Sequence, residues 1–593
     1  MTVATGRVAT LLNEPHHDGS DLYVLERPDD LGREAVMRLR VPTATSADSV
    51  FLRHVRDGEA REVEAELDAE TETERWWRAS FPVDNPLTRY RWLLMGGDVG
   101  YAWVNGLGIV DHDVPDADDF VLAVGGADGP AWHLASVVYE VFPDRFARGG
   151  VGAEPPEWAI PREWDERPTG RGPETPFEWF GGDLRGVEQR LDHVERLGAS
   201  VLYLTPIFPA GSTHRYDAWS FDRVDPLLGG DEALLSLLDA AHARGIRVLG
   251  DLTTNHCGDG HDWFRTACEN LQAPERELFY FDESFTHGYA CWWDIPSLPK
   301  LDWRSAELRR RMAGVARRWL DFGLDGWRID VANMTGRLRE IDVNEDAART
   351  LRDAAGDAPL ISEHFHDFRG DLDGRGWNGT MNYSGFAKPV WYWLGNDVSV
   401  TGRQAVATMR RFRAGVPWPC VLHSWTLLDS HDVPRFRTTA ASRDRHLVGI
   451  GLQMTTPGAP MIFAGDEIGL EGEWGEDARR TMPWDRPETW DGVLFEEYRR
   501  LTALRRSSEA LARGGIRYAL VEDDTIAYLR ETAGERLLCL ANRASRKPVS
   551  LLLAALGCTE LETLYGGDAA CSDGRAVLPG DGPSFHVWRL IDG

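Results

Sequence analysis

GLDGWRID, residues 323–330, is a short apolar run that ends on a carboxylate, Asp330. The design recurs in APLISE (358–363), which ends on Glu363, and in LLDSHD (427–432), which ends on Asp432. Acids are common after strands, so any one of the three alone reads as an ordinary turn or surface carboxylate. Together, at the C-terminal ends of apolar runs, they stand where a parallel β/α barrel carries its chemistry. Arg328 lies two residues before Asp330, so the alternation of a strand points both side chains the same way. A guanidinium that close lowers a carboxylate's pKa by roughly 1–3 units, and Asp330 is expected to be ionised. Glu363 has no Lys or Arg within four residues on either side and is expected to keep a proton. One ionised and one protonated carboxylate is the pair that glycoside cleavage by double displacement requires.

Outward from these runs the chain alternates strands and helices. VVYEVF (137–142), VLYLTP (201–206), RVLGDL (247–252), GWRI (326–329), PLIS (359–362), GTMNY (379–383), VLHSWTLL (421–428) and APMIFA (459–464) are eight strand candidates. The helices between them are legible too. In 184–198, Leu184, Val187, Leu191, Val194 and Leu197 recur at spacings of 3 and 4 before Gly198 stops the run. DEALLSLLDAAHARG (231–245) repeats the pattern. Eight such alternations predict an α/β fold, a (β/α)8 TIM barrel over 126–505, with a loop excursion at 256–303 over the barrel mouth. Before it, VFLRHV (50–55), WWRASFPV (76–83), RYRWLLM (89–95) and the Asn105-Gly106 turn predict an N-terminal β-sandwich over 1–125, resembling a carbohydrate-binding module. After it, IRYALV (516–521), TIAYLR (525–530), RLLCLANR (536–543), VSLLLAAL (549–556) and FHVWRL (585–590) predict a C-terminal β-sandwich over 506–593. The Gly/Pro-rich stretch 149–176 reads as a loop.

Composition narrows the partners. The 593 residues are too many for one core. The net charge of −30 repels nucleic-acid phosphate, and a neutral ligand fits better. The 24 Trp either fill a large core or stack on sugar faces. Seven irregularly spaced Cys make no disulfide framework. The N-terminal residues have no apolar core of a signal peptide, and no run is long enough to span a membrane, so a cytoplasmic protein without membrane partners is expected. His256, Cys257 and His261 have no zinc-ligand spacing, and no metal is expected there.

The motifs resemble those of glycoside hydrolase family 13, the α-amylase family. DLTTNH (251–256), GWRIDVAN (326–333), the Glu363 segment and LLDSHD resemble its four signature regions in order. VYEVFPDRF (138–146), FGGDLRGV (180–187), HRYDAWSF (214–221), LPKLD (298–302), TTPGAPMIFAGDEIG (455–469) and RRTMPWD (479–485) resemble its secondary motifs. The module order is similar to the neopullulanase, cyclomaltodextrinase and maltogenic amylase group.

The resemblance implies Asp330 as nucleophile, Glu363 as acid and base, and Asp432 as the stabiliser of the transition state. It implies that Arg328 orients Asp330, that His256 and His431 contact the same sugar, that Tyr216 is its stacking platform, and that Arg479 binds one sugar further on, an ion pair being the plainer reading. Asn255 is a metal ligand in some relatives or a turn residue here. The implied activity is hydrolysis of α-1,4 and possible α-1,6 links in cyclic or short linear maltooligosaccharides, including rings of mixed linkage, by a homodimer without cofactor. Transglycosylation by the same chemistry and a non-catalytic carbohydrate-binding protein are the alternatives.

Three departures from the family pattern bear on specificity. Met334 stands where an acidic residue is usual, and Phe365 where Trp is common. The loop RFARGGVGAEPPEW (145–158) has Arg148 and Gly150 where relatives present calcium-binding oxygens, so no calcium is expected at it.

Overall fold

The computed structural model of the chain describes residues 11–592 apart from 127, 397–399 and 441. The first ten residues, part of the segment read above for a signal peptide, lie outside it. Eight strands close a barrel: β1 (Val138–Val141), β2 (Val201–Leu204), β3 (Arg247–Thr253), β4 (Gly326–Asp330), β5 (Leu360–His364), β6 (Gly379–Asn382), β7 (Trp425–Leu427) and β8 (Ala459–Phe463). Each is parallel to the next, and β8 returns to β1 through Met461 opposite Val138. Strands buried on both faces read as unbroken apolar runs, which is why all eight stood out. One set of side chains, including Val138, Tyr203, Leu249, Ile361, Trp425 and Met461, fills the interior. A second, including Tyr139, Leu202, Val248, Trp327 and Ile462, packs under the helices.

Two local expectations change. VLHSWTLL is a strand only from Trp425; its first half completes the helical turn Trp418–His423. The helix expected over 184–198 breaks into Leu184–Gln189 and Leu191–Leu197 at Arg190, whose guanidinium lies 4.5 Å from the Trp484 ring. Its five apolar positions are nonetheless all fully buried.

The N-terminal residues form two antiparallel sheets. One contains Glu34–Pro42 and Glu74–Pro82, the other Ser49–Arg56, Leu87–Gly96 and Gly100–Asn105, with Met37, Leu39, Leu52, Phe81, Trp92 and Leu94 between them. The hairpin at Asn105-Gly106 presses on the barrel's helical layer. A Cβ on Gly106 would lie 2.4 Å from that of Ala414, and Arg410 donates to the Leu107 carbonyl at 2.9 Å. The C-terminal residues form a five-stranded and a three-stranded sheet. There VSLLLAAL is strand only over Val549–Leu552 and then turns helical. The stretch 149–176 is pinned by side chains: Arg162 to Glu178, Arg167 to Asp477 at 2.7 Å, and Trp164 to the Met482 carbonyl at 2.9 Å. The seven cysteines are free.

Candidate active site

The C-terminal ends of β3, β4 and β5 converge on one guanidinium. Arg328 is fully buried on β4, and its Nη1 donates to both oxygens of Asp251 at 3.0 and 2.9 Å and to Asp330 Oδ1 at 3.0 Å. Its Nη2 lies 2.9 Å from Glu363 Oε2 and 3.9 Å from Asp432 Oδ2. Asp330, Glu363 and Asp432 are thus brought together, although Asp432 sits five residues beyond the end of β7 rather than at it. Immediately after Asp330 the chain turns through Val331 at φ 36°, a left-handed conformation that costs a β-branched residue dearly. Its N–H donates to Glu363 Oε2 at 2.7 Å, so the strained peptide ties β4 to β5.

This geometry corrects the protonation expected from local sequence. Glu363 does have a cation beside it, because Arg328 reaches across from the neighbouring strand. Arg328 in turn is shared with Asp251 and is not reserved for Asp330. Burial pushes the Asp330 carboxyl well above the usual range; Arg328 opposes this, and Glu363, Asp251 and Asp432 add to it. Burial also raises Glu363, against Arg328. Asp432 is half-buried; burial works against its charge, but His431, Arg479 and Arg328 keep it below the usual range.

The expected binding residues fall into two groups. Tyr216, His431 and Arg479 stand beside the carboxylates. Tyr216 OH donates to Asp251 Oδ2 at 3.0 Å and meets His431 Nε2 at 2.6 Å, with the two rings stacked. His431 Nε2 lies 3.2 Å from Asp432 Oδ1. Arg479 donates to the His431 carbonyl at 2.7 Å, to Glu476 at 2.6 Å and to Asp432 at 3.5 Å, so it is both an ion pair and a neighbour of the site.

His256, Met334 and Phe365 line the flanks. Burial pulls His256 down to about 3, leaving it neutral. Its ring stacks on Trp292, which stacks on the exposed Trp293 and donates to Met334 Sδ at 3.2 Å. Both tryptophans belong to the predicted loop excursion, whereas Trp319, Trp327 and Trp425 are core. Phe365 lies flat on Tyr383 at 3.8 Å.

Sequence reasoning assigned no role to three residues here. Asp251 anchors Arg328 and accepts the Tyr203 hydroxyl at 2.6 Å. Glu140 on β1 bonds His431 Nδ1 at 2.5 Å. Both were detectable as acids inside apolar runs. Lys300 was not; its ammonium, pulled down to about 7 by burial, donates to Asn255 Oδ1 and to the Met334 carbonyl. Asn255 is therefore occupied by an internal cation.

The loop 145–158 does not fit calcium. The Arg148 guanidinium donates to the carbonyls of Phe180 at 2.7 Å and Arg162 at 3.1 Å. The nearby Asp183 carboxylate accepts from the backbone N–H groups of Gly149, Val151 and Gly186. A dication would meet a guanidinium there and oxygens already in use.

Comparison with known proteins places the chain in a family. Residues 140–383 match the alpha amylase catalytic domain, and residues 518–579 the maltogenic amylase C-terminal domain. Neopullulanase 2 of Thermoactinomyces vulgaris is 32% identical over 466 residues, 76% of each chain. Cyclomaltodextrinase of Geobacillus thermopakistaniensis is 30% identical over 453 residues, 73% of this chain and 74% of its own. Among solved structures, the cyclic α-maltosyl-(1→6)-maltose hydrolase of Arthrobacter globiformis superposes with a TM-score of 0.67 at 29% identity, covering 78% of this chain and all of that one. With its eight-stranded barrel and the carboxylates around Arg328, the chain belongs to the α-amylase family, glycoside hydrolase family 13.

Proposed function

We propose that this chain is a retaining hydrolase of short α-glucans, cyclic or linear, in which Asp330, Glu363 and Asp432 carry the reaction. The observation that carries the reading is the single guanidinium bracketed by Asp330 and Glu363 at 3.0 and 2.9 Å. A guanidinium shared by the two acids holds both at one place, as a pair in which one acid attacks and the other donates requires. Asp330 attacks the anomeric carbon while Glu363 gives its proton to the leaving oxygen; Glu363 then takes a proton from the water that releases the sugar. The proton that is given must lie on Glu363 when substrate is bound, and burial, which raises that carboxyl, favours this. Asp432 and His431 bind hydroxyls of the reacting ring, and these bonds strengthen as it flattens. Tyr216 supplies an aromatic face, and Arg479 and His256 extend the site to either side.

Substrate size is set by the surroundings. The Trp292–Trp293 stack and Met334 form an apolar flank with no carboxylate at position 334. The relatives named for cyclodextrins and for cyclic maltosyl-maltose support small rings as substrates. A cytoplasmic homodimer, in which the N-terminal module narrows the partner's cleft, completes the reading. Among the described residues no helix is long and apolar enough to cross a membrane. Chromatography of products from cyclodextrins, cyclic maltosyl-maltose, maltotriose, pullulan and starch tests it. Rings and maltotriose should be cleaved faster than the polymers. Starch as the preferred substrate would overturn the size preference, and no cleavage of any of them would overturn the function.

A further inference from the structure

His431 is held by carboxylates at both ring nitrogens. Its Nδ1 meets Glu140 Oε1 at 2.5 Å, and its Nε2 meets Asp432 Oδ1 at 3.2 Å and Tyr216 OH at 2.6 Å. The Tyr216 hydroxyl also lies 3.0 Å from Asp251 Oδ2, to which it donates. With a carboxylate oxygen at each ring nitrogen, a hydrogen on each satisfies both contacts, whereas an unprotonated Nε2 would set its lone pair against Asp432 Oδ1.

We propose that Glu140, buried on β1 below the site, is a positioning residue that keeps His431 doubly protonated, so that the reacting sugar meets a fixed imidazolium beside Asp432. The inference rests on the proposed roles of His431 and Asp432. Glu140 is fully buried, and its Oε2 is without a partner among the described residues. Among the described residues its side chain bonds His431 and no other group.

The surrounding charges favour this state. From its own loop His431 faces Asp432; from β1, Glu140; and from just beyond β1, 6.1 Å away, the Phe142 ring. The loop after β2 brings Tyr216 and His214, and His214 is neutral because its Nδ1 accepts the Tyr216 N–H. Arg479 touches His431 only at its carbonyl while pairing with Glu476 and Asp432, and its charge opposes the imidazolium; Arg328 lies beyond Tyr216, 5.6 Å from that ring. Burial alone would lower His431, but Asp432 and Glu140 raise it above its usual value. The imidazolium gives up its proton as pH rises, so it contributes to the alkaline limb of activity.

Glu140→Gln tests the proposal, because the amide oxygen still accepts from Nδ1–H while the charge is removed. The readout is kcat/KM against pH on the best substrate of the panel above, with thermal unfolding as the folding control. The alkaline limb should move toward acid by about one pH unit, the lower end of what one contact charge does. In a His431→Gln background, Glu140→Gln should move it no further. A limb that superimposes on the wild type, or a shift that persists without His431, overturns the inference. If Glu140→Gln does not fold, 15N spectra of the wild-type imidazoles decide. Two protonated nitrogens on His431 at pH 7.5 support it, and a neutral tautomer refutes it. A wild type inactive on every α-glucan would instead overturn the functional reading, and the spectra would still judge this one.

Discussion

Asp251→Asn separates the structural reading of the site from the simpler one in which Arg328 serves Asp330 alone. Asp251 accepts two contacts from Arg328 Nη1 at 2.9–3.0 Å, and it also accepts from Tyr203 and Tyr216. At 3 Å and an effective dielectric of 20 the charge attraction is about 5–6 kcal/mol. Breaking one partner of a buried pair costs about 3–5 kcal/mol net. The asparagine has one oxygen for four donor contacts, and its own N–H groups face donors. A loss of about 3 kcal/mol in transition-state stabilisation corresponds to about a hundredfold fall in kcat/KM. The freed guanidinium would also act more strongly on Asp330 and Glu363, whose carboxyls Asp251 helps to raise. The alkaline limb should therefore move toward acid. The assays are kcat/KM across pH 5–9 and thermal unfolding of the same preparations. Glu307 makes equally short contacts with Arg310 and Arg311, but in solvent, and Glu307→Gln should change neither readout. An Asp251→Asn protein within threefold of wild-type kcat/KM, with an unmoved limb, would refute the shared-guanidinium account.

The loop 145–158 should not need metal. EDTA should leave the melting temperature unchanged, while Arg148→Ala should lower stability by about 1–3 kcal/mol through two lost carbonyl partners; a rise in melting temperature when calcium is restored after chelation would contradict this. Acid should weaken the junction below the barrel, where His133 and His423 share a hydrogen bond at 2.8 Å. Burial pulls His423 down to about 4, so its contribution to stability is present in full above about pH 6.5 and is lost as pH falls toward 4. At pH 5 the loss from this residue is about 2 kcal/mol, and a melting temperature flat from pH 7 to 5 would argue against it.

What could be read from the sequence follows from what each segment is buried against. The eight barrel strands are covered on both faces and show as apolar runs, and the stripe Leu184, Val187, Leu191, Val194, Leu197 shows even though its helix is broken. Strands such as Glu59–Glu64 and Glu66–Glu70 are mostly exposed and polar, and carry no such signal. The three carboxylates were visible because each ends or closely follows such a run. Their protonation was not, because Arg328 reaches Glu363 across 35 positions of chain, far outside a local window. Glu140 and Asp251 could have been singled out, since a charge on the inward face of a barrel strand must find a partner. Lys300 could not: it lies in an irregular loop, and only the fold brings it to Asn255 and Met334.

The central claim is that Asp330 forms a covalent bond to the sugar. Exposing Glu363→Gln to an α-glycosyl fluoride, whose leaving group needs no acid, lets the first step proceed and slows the second. Peptide mass spectrometry of the quenched protein should then find one glycosyl adduct, on the peptide bearing Asp330. An adduct on Asp432, or turnover to a β-configured product with no adduct, would contradict the account.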